Sequence, residues 1–149
     1  MVFLSTTLFG QNTKQQKVKH NTLLLKAKIE AFTNFLELNP SQIEDFTVLY
    51  TEYDKAMTAS SAIHNKTVYN IRKLPANELT REKVRESVNA QLQLSENIIE
   101  IRRKYFDRFE QILSPNQMLR FFQKESSISN QVKKEYNKRQ QEMKKQTKQ

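Results

Sequence analysis

The sequence predicts an all-α protein, and three observations carry this prediction. The chain has 149 residues, of which one is glycine and three are proline. The prolines, Pro40, Pro75 and Pro115, divide the chain at nearly even intervals. Between them the sequence is rich in Lys, Glu, Gln and Leu, which favour helices, and apolar residues recur at steps of three or four. We therefore expect four helices separated at or near the prolines.

The first two predicted helices each have an apolar stripe at helical spacing. The stripe of the first consists of Leu24, Ala27, Ala31 and Phe35, widened by Leu25, Phe32 and Leu36. The second helix starts at Pro40, and its stripe consists of Ile43, Phe46, Tyr50, Tyr53 and Met57. Such a stripe is typical of a helix that buries one face against a neighbour.

The third predicted helix runs from about Thr80 to Ile112 and would be roughly 50 Å long at 1.5 Å per residue. That length is too great for a compact four-helix globule of this size. Its stripe consists of Val84, Val88, Leu92, Ser95, Ile98, Arg102, Tyr105, Phe109 and Ile112. The fourth helix starts at Pro115, with a stripe of Met118, Phe121, Phe122, Ile128, Val132 and Tyr136.

The two ends of the chain differ from this helical middle. The first ten residues, MVFLSTTLFG, form an apolar run like the hydrophobic part of a secretory signal, although a basic start is missing. We therefore expect residues 1–11 to be the remnant of a signal peptide, truncated at its N-terminus, followed by a polar, basic linker over 12–21. The alternative is an N-terminal segment that packs on the core. The helical domain then covers 22–138, and 139–149 form a basic, solvated or disordered tail.

Composition and charge exclude several classes of function. A single glycine rules out the glycine-rich phosphate-binding loops of nucleotide-binding folds. The absence of cysteine removes thiol catalysis, disulfides and cysteine-based metal sites. The formal net charge of +9 divides into +3 over residues 1–20, +5 over 131–149 and +1 over the 110 residues between them. Because the helical body is nearly neutral, the basic pI is weak support for nucleic-acid binding.

Two of the predicted helix starts are copies of one pattern. Leu38-Asn39-Pro40-Ser41-Gln42 and Leu113-Ser114-Pro115-Asn116-Gln117 both read L-x-P-x-Q. Asn39 and Ser114 are suited to cap the helix, and proline is favoured at the first helical position because its missing N–H costs nothing there. Each glutamine, three residues after the cap, can complete a capping box, and each leucine can form a hydrophobic staple.

This pattern resembles the repeated Leu-Thr-x-x-Gln motif of the Spy/CpxP family of bacterial periplasmic proteins, in the form found in Bacteroidetes. Asn39 and Ser114 stand where the family usually has threonine, and both keep the capping chemistry. The resemblance also includes the flanking segments KIEAFTNFLELNPSQIEDFTVLYTEYDK and RRKYFDRFEQILSPNQMLRFFQKE, and it covers about residues 23–136. It implies four long helices in a thin, curved hairpin or cradle that is usually dimeric.

The resemblance also implies a function without catalysis. Some members of the family are ATP-independent, holdase-type chaperones for unfolded or stress-damaged client proteins, others regulate a membrane stress sensor, and relatives bind metal. A surface that mixes apolar and flexible basic side chains can bind such partners weakly. Residues that combine these properties are candidates for client or partner binding: Tyr50, Tyr53, Met57, Arg102, Arg103, Tyr105, Phe106, Phe121 and Phe122. Any one aromatic on such a stripe is more often core, so we expect one exposed member in each adjacent pair.

Other chemistries have little support in the sequence. His20 and His64 are 44 residues apart, and no second histidine lies three or four residues from either, so we expect no metal site and no cofactor. We also expect no enzyme, because no nucleophile, base and orienting group lie together in the sequence. An alternative is a basic-tailed helical module that binds nucleic acid or an acidic protein surface, although we expect no nucleic-acid partner. A coiled-coil partner of unknown target is a further alternative.

Overall fold

A computed structural model describes the backbone of residues 8–147 and the side chains of residues 15–147. Within the described chain there are four α-helices and no strand. They are α1 (Leu8–Leu36), α2 (Pro40–Arg72), α3 (Arg81–Glu110) and α4 (Pro115–Gln146), and a short 3₁₀ turn spans Ala76–Glu78 between α2 and α3. The prediction of an all-α chain with four helices is confirmed.

The helix starts follow the signals in the sequence. Helices α2 and α4 begin at Pro40 and Pro115, where the missing proline N–H would have no partner in the helix. Thr80 precedes α3, and its side chain accepts a hydrogen bond from the backbone N–H of Lys83 at 3.3 Å. The bounds of α3 lie within two residues of the predicted ones, because its capping residue and the end of its apolar stripe are both visible in the sequence.

Two segments that the sequence assigns to a linker and a tail are helical in the structure. Residues 12–21 are continuous with α1, which already starts at Leu8, and α4 continues through the basic tail as far as Gln146. Both segments contain many Lys and Gln residues, which are good helix formers, and neither contains proline. Residues 1–7, most of the expected signal remnant, lie outside the described residues, as do the last two residues of the tail.

The described chain divides into two compact units. The first contains α1, the start of α2 up to Ile43, and α4. In this unit α1 and α4 run antiparallel, because the Phe32 ring contacts that of Phe121 (centroids 5.3 Å apart) and the ring of His20, nearer the start of α1, contacts that of Tyr136, further along α4 (5.0 Å). Phe32, Leu36 and Phe121 are at most 1% exposed and form the centre of its core.

The second unit, from Glu44 to Ser114, contains most of α2 together with α3. Its core is aromatic. The Phe109 ring on α3 packs against the rings of Phe46 and Tyr53 on α2, with centroid distances of 5.9 and 5.5 Å. The Tyr105 ring adds an edge contact to Tyr53 at 5.5 Å. The C-terminal part of α3 is therefore held against α2 by aromatic packing.

The aromatic core gives a direct test of the second unit. Phe109→Ala removes a ring that is completely buried, and we expect it to lower the free energy of unfolding by about 3–5 kcal/mol, through lost burial and the cavity left behind. Phe106→Ala is the matched control, because Phe106 lies on the same helix and is 43% exposed. Urea unfolding followed by circular dichroism measures both, and equal losses in the two variants would contradict this core.

Candidate functional site

The end of α1 is closed by a tight turn that includes a residue in the left-handed region. Glu37 has φ of 53°, and its backbone N–H donates to the carbonyl of Asn34 at 3.2 Å. The N–H of Leu38 donates to the carbonyl of Thr33 at 3.1 Å. These two bonds define a Schellman motif, in which glycine is the usual left-handed residue. The turn leads directly into the first L-x-P-x-Q copy, and Leu38 is buried.

The first motif copy forms the predicted capping box. The side-chain oxygen Oδ1 of Asn39 accepts from the backbone N–H of Gln42 at 3.0 Å, and Oε1 of Gln42 accepts from the backbone N–H of Asn39 at 3.1 Å. Asn39 also accepts a hydrogen bond from the hydroxyl of Ser41 at 2.6 Å. Two N–H groups at the start of α2 are therefore satisfied reciprocally, as the spacing of the motif requires.

The glutamines of the two motif copies contact each other, which the sequence did not predict. In the first unit, Nε2 of Gln42 donates to Oε1 of Gln117 at 2.8 Å, and Nε2 of Gln117 donates to Oε1 of Gln42 at 3.3 Å. Nε2 of Gln117 also donates to the backbone carbonyl of Leu36 at 3.1 Å. A carboxamide is suited to this position because it offers both an acceptor and two donor hydrogens. We call Leu36, Gln42 and Gln117 the glutamine junction.

Arg120, one turn after Gln117 on α4, holds the same end of α1. Its guanidinium donates to the backbone carbonyl of Phe35 and lies over the Phe35 ring, 4.8 Å from the centroid. It also forms an ion pair with Glu37 at 3.3 Å. A cation is favourable at this place, because the C-terminal carbonyls of a helix carry partial negative charge. Gln117 and Arg120 thus bind two successive carbonyls that have no partner within α1.

The remaining motif residues lie where helices meet turns. Leu113 is buried at the end of the second unit, where its N–H donates to the carbonyl of Phe109 at 2.8 Å. Ser114 is exposed and precedes Pro115, the first residue of α4. Met118, near the start of α4, is buried in the first unit, with 7% of its surface exposed.

Four of the nine candidates for client or partner binding are buried. The two cores contain Tyr50, Tyr53, Tyr105 and Phe121, each at most 6% exposed, so these rings offer almost no surface to a client or partner of the folded chain. Arg103 and Phe106 are exposed, and Phe106 is the exposed member of its adjacent pair, as expected. Three candidates are half-buried: Met57, Arg102 and Phe122.

The structure exposes a row of apolar side chains, of which Val84, Val88 and Leu92 belong to the stripe predicted for the third helix. They lie on α3, at positions that differ by less than about 90° around the helix axis. We call them the α3 stripe: Val84 (47% exposed), Val88 (48%), Leu92 (57%), Ile99 (49%) and Phe106 (43%). On α3, buried side chains occur only near the C-terminal end, at Tyr105 and Phe109. The sequence shows the apolar periodicity of α3, but it does not show the residue at which packing against another helix ends.

An ion pair lies on the surface of the second unit, next to its aromatic core. Arg108 on α3 donates to a carboxylate oxygen of Glu52 on α2 at 2.6 Å, and its guanidinium lies 5.2 Å from the Tyr105 ring centroid. The hydrogen bond from Arg108 lowers the pKa of Glu52 below its ordinary value. Desolvation opposes this shift, and the charges of Arg108 and Lys104 each add a smaller contribution in the same direction as the hydrogen bond.

Neither a metal centre nor a membrane-spanning segment is found in the part of the chain that the structure describes. Over this part, no three potential ligands among His, Asp and Glu lie together in a way that could hold a metal ion. None of the helices between residues 8 and 147 has an apolar run long enough to cross a bilayer. Comparison of the chain with protein families, with characterised proteins and with solved structures finds no match.

The glutamine junction can be tested with a double-mutant cycle. Gln117→Glu keeps the shape of the side chain but removes both donor hydrogens, so we expect a loss of about 1–3 kcal/mol of unfolding free energy at neutral pH. The cycle compares wild type with Gln42→Ala, Gln117→Ala and the double variant Gln42→Ala/Gln117→Ala. We expect the double variant to lose less than the sum of the singles, because both remove the same amide pair. Thermal and urea unfolding measure wild type and the four variants.

The exposed Gln123 on α4 provides the control for this cycle, and Gln123→Ala should change stability by less than about 0.5 kcal/mol. Strictly additive losses in Gln42→Ala and Gln117→Ala would show that the two side chains do not interact.

The ion pair predicts a shift that carboxyl NMR titration can measure. Arg108→Gln should raise the pKa of Glu52 toward its ordinary value, since the main stabilising hydrogen bond is lost. A carboxyl whose pKa is lowered on folding stabilises the protein above its unfolded pKa, and this contribution disappears as the pH falls through the folded pKa. The stability difference between wild type and Arg108→Gln should therefore shrink on acidification.

Lys104→Gln is the control for the titration, because Lys104 acts on Glu52 only through its charge and more weakly than Arg108. An unchanged Glu52 pKa in Arg108→Gln would mean that the pair does not persist in solution.

Proposed function

We propose that this protein binds other polypeptides without catalysis, as an exported Spy/CpxP-like holdase chaperone or envelope-stress regulator. The observation that carries the proposal is the α3 stripe. It presents five apolar side chains, each between 43% and 57% exposed, over 22 residues of one helix, or roughly 33 Å. A row of apolar side chains in water is a favourable contact surface for the apolar segments of another chain, since their contact removes both from water.

The neighbourhood of the stripe supports weak binding without one fixed geometry. Arg103 is exposed on α3 about 60° around the helix axis from Phe106, and its long side chain can adapt to carboxylates on a partner. The stripe itself consists mainly of aliphatic residues, which impose little directional preference on what they contact. Both properties suit a surface that accepts different unfolded sequences.

Several further features of this proposal come from the motif resemblance alone. They are the thin, curved, dimeric cradle, the periplasmic location with a truncated signal peptide, and the client or sensor as partner. The repeated motif, whose first copy forms a capping box, favours them over an unrelated helical fold. Light scattering combined with size-exclusion chromatography measures the oligomeric state, and N-terminal sequencing of protein from the native host tests export.

An aggregation assay tests the proposed activity. A chemically unfolded client enzyme is diluted into buffer with equimolar protein, and light scattering follows its aggregation. We expect wild type to suppress aggregation and Val88→Ser/Leu92→Ser to lose most of this effect, because the two changes remove the centre of the α3 stripe. Both side chains are about half exposed, so the variant should keep its helical content and stability to within about 1 kcal/mol.

Val48→Ser/Leu119→Ser is the matched control, because these two residues are 58% and 59% exposed and lie on α2 and α4, outside the stripe. The control should suppress aggregation like wild type. Equal loss in both variants would contradict a role for α3. If wild type at stoichiometric concentration does not suppress aggregation, the chaperone activity is ruled out. Binding to a specific partner then remains, and crosslinking to a membrane sensor measures it.

A further inference from the structure

The fold brings the two basic segments of the chain to one end of the first unit. Helices α1 and α4 run antiparallel, so the N-terminal part of α1 lies beside the C-terminal part of α4, as the contact between His20 and Tyr136 shows. The sequence places these segments more than a hundred residues apart and suggests two separate basic ends. We call this region, residues 15–26 and 131–147, the basic end.

The basic end carries a high density of positive charge. Residues 15–26 contain three lysines and no acid, a net charge of +3, and residues 131–147 contain six basic and two acidic residues, a net charge of +4. The α4 cations extend from Lys133 to Lys145, roughly 18 Å of helix. Neighbouring cations along α4 are separated by no more than about the screening length of 8 Å at physiological salt, so a linear ligand that lies along the helix is attracted by several of them at once.

Five of these nine cations lie on two opposite outer faces of the helix pair. Lys134, Lys138 and Lys145 are exposed and lie at helical spacing on one face of α4, turned away from the buried positions Phe121 and Glu125. On α1, Lys19 and Lys26 are exposed and seven residues apart, on the side away from His20, which contacts α4. A flat surface can contact only one of these faces at a time, whereas a flexible chain can reach both.

We propose that the basic end binds a flexible, linear polyanion built from phosphate groups, such as inorganic polyphosphate or a single nucleic-acid strand. Such a chain carries a negative charge on every repeat and no cation, so it matches the charge density of the basic end. Folded protein surfaces usually mix both signs of charge and match it less well. Lysines act as point charges toward phosphate and read no sequence, so binding depends on charge and length and falls steeply with salt.

This site is independent of the α3 stripe and of the proposed chaperone or regulatory function. The basic end lies in the first unit and the α3 stripe in the second. The basic end binds a polyanion, whereas the stripe binds apolar segments. The sequence predicts no nucleic-acid partner, because its basic segments lie far apart and flank a nearly neutral helical body. Their position side by side on two packed helices removes that reason.

Fluorescence anisotropy with a labelled 20-nucleotide oligothymidine and competition by inorganic polyphosphate test the proposal on the full chain. We expect both to bind, with an affinity that falls as salt rises. Lys134→Gln/Lys138→Gln/Lys145→Gln should lower the magnitude of the log–log salt slope by about two and weaken binding about 100-fold at 0.1 M salt, since each phosphate contact contributes roughly 0.7 to the slope. Lys19→Gln/Lys26→Gln should weaken binding further when combined with it.

Lys55→Gln/Lys66→Gln/Lys73→Gln removes the same charge from exposed positions of the second unit and is the matched control. It should leave the affinity within about threefold of wild type. The proposal is overturned if neither polyanion binds, if the control weakens binding as much as the α4 variant, or if only vesicles of anionic lipid bind. Binding of polyphosphate without oligothymidine, or the reverse, supports the site and identifies the source of the phosphates. Val88→Ser/Leu92→Ser should bind both like wild type.

Discussion

The first unit depends on how the last carbonyls of α1 are satisfied. A helix ends with backbone carbonyls that have no partner inside it, and leaving them buried and unpaired is costly. Here two side chains of α4, Gln117 and Arg120, bind the carbonyls of Leu36 and Phe35. The same glutamine pairs with Gln42, which also caps α2. One small hydrogen-bond network therefore fixes the end of α1, the start of α2 and the first turn of α4.

The two glutamines of the motif copies make different further contacts in this network. In the first copy, the glutamine returns to its own helix start and satisfies Asn39. In the second, the glutamine reaches a residue 81 positions earlier in the chain. Gln42 and Gln117 occupy equivalent positions in the motif, but the carbonyl of Leu36 that Gln117 binds lies just before the first copy. A repeated pattern in a sequence thus predicts a shared local structure, the helix start, more reliably than a shared set of contacts.

Local signals in the sequence predict where the helices start, but not which of their side chains another helix buries. Proline, capping residues and apolar spacing placed the starts of α2, α3 and α4 and the end of α3 correctly, because these features act within a few residues of each helix end. Whether Tyr50 or Val88 is buried depends on which helix lies opposite, and spacing alone carries no information about that. The pairing of Gln42 with Gln117 and the meeting of the basic segments are long-range for the same reason. The extra length of α1 was missed because a polar, basic composition was interpreted as a linker, although its residues are good helix formers.

The spacing along the α3 stripe has a geometric consequence for anything that binds there. Val84, Val88 and Leu92 follow one another at four-residue steps, or about 6 Å along the helix axis. In an extended polypeptide, side chains on the same face repeat every two residues, or about 6.6 Å. The two repeats nearly coincide, so a bound chain can move by two residues and meet an equivalent row of apolar contacts. A polypeptide bound in this way has several registers of similar energy. The number of these registers adds entropy to the bound state, which is therefore favoured without one specific register.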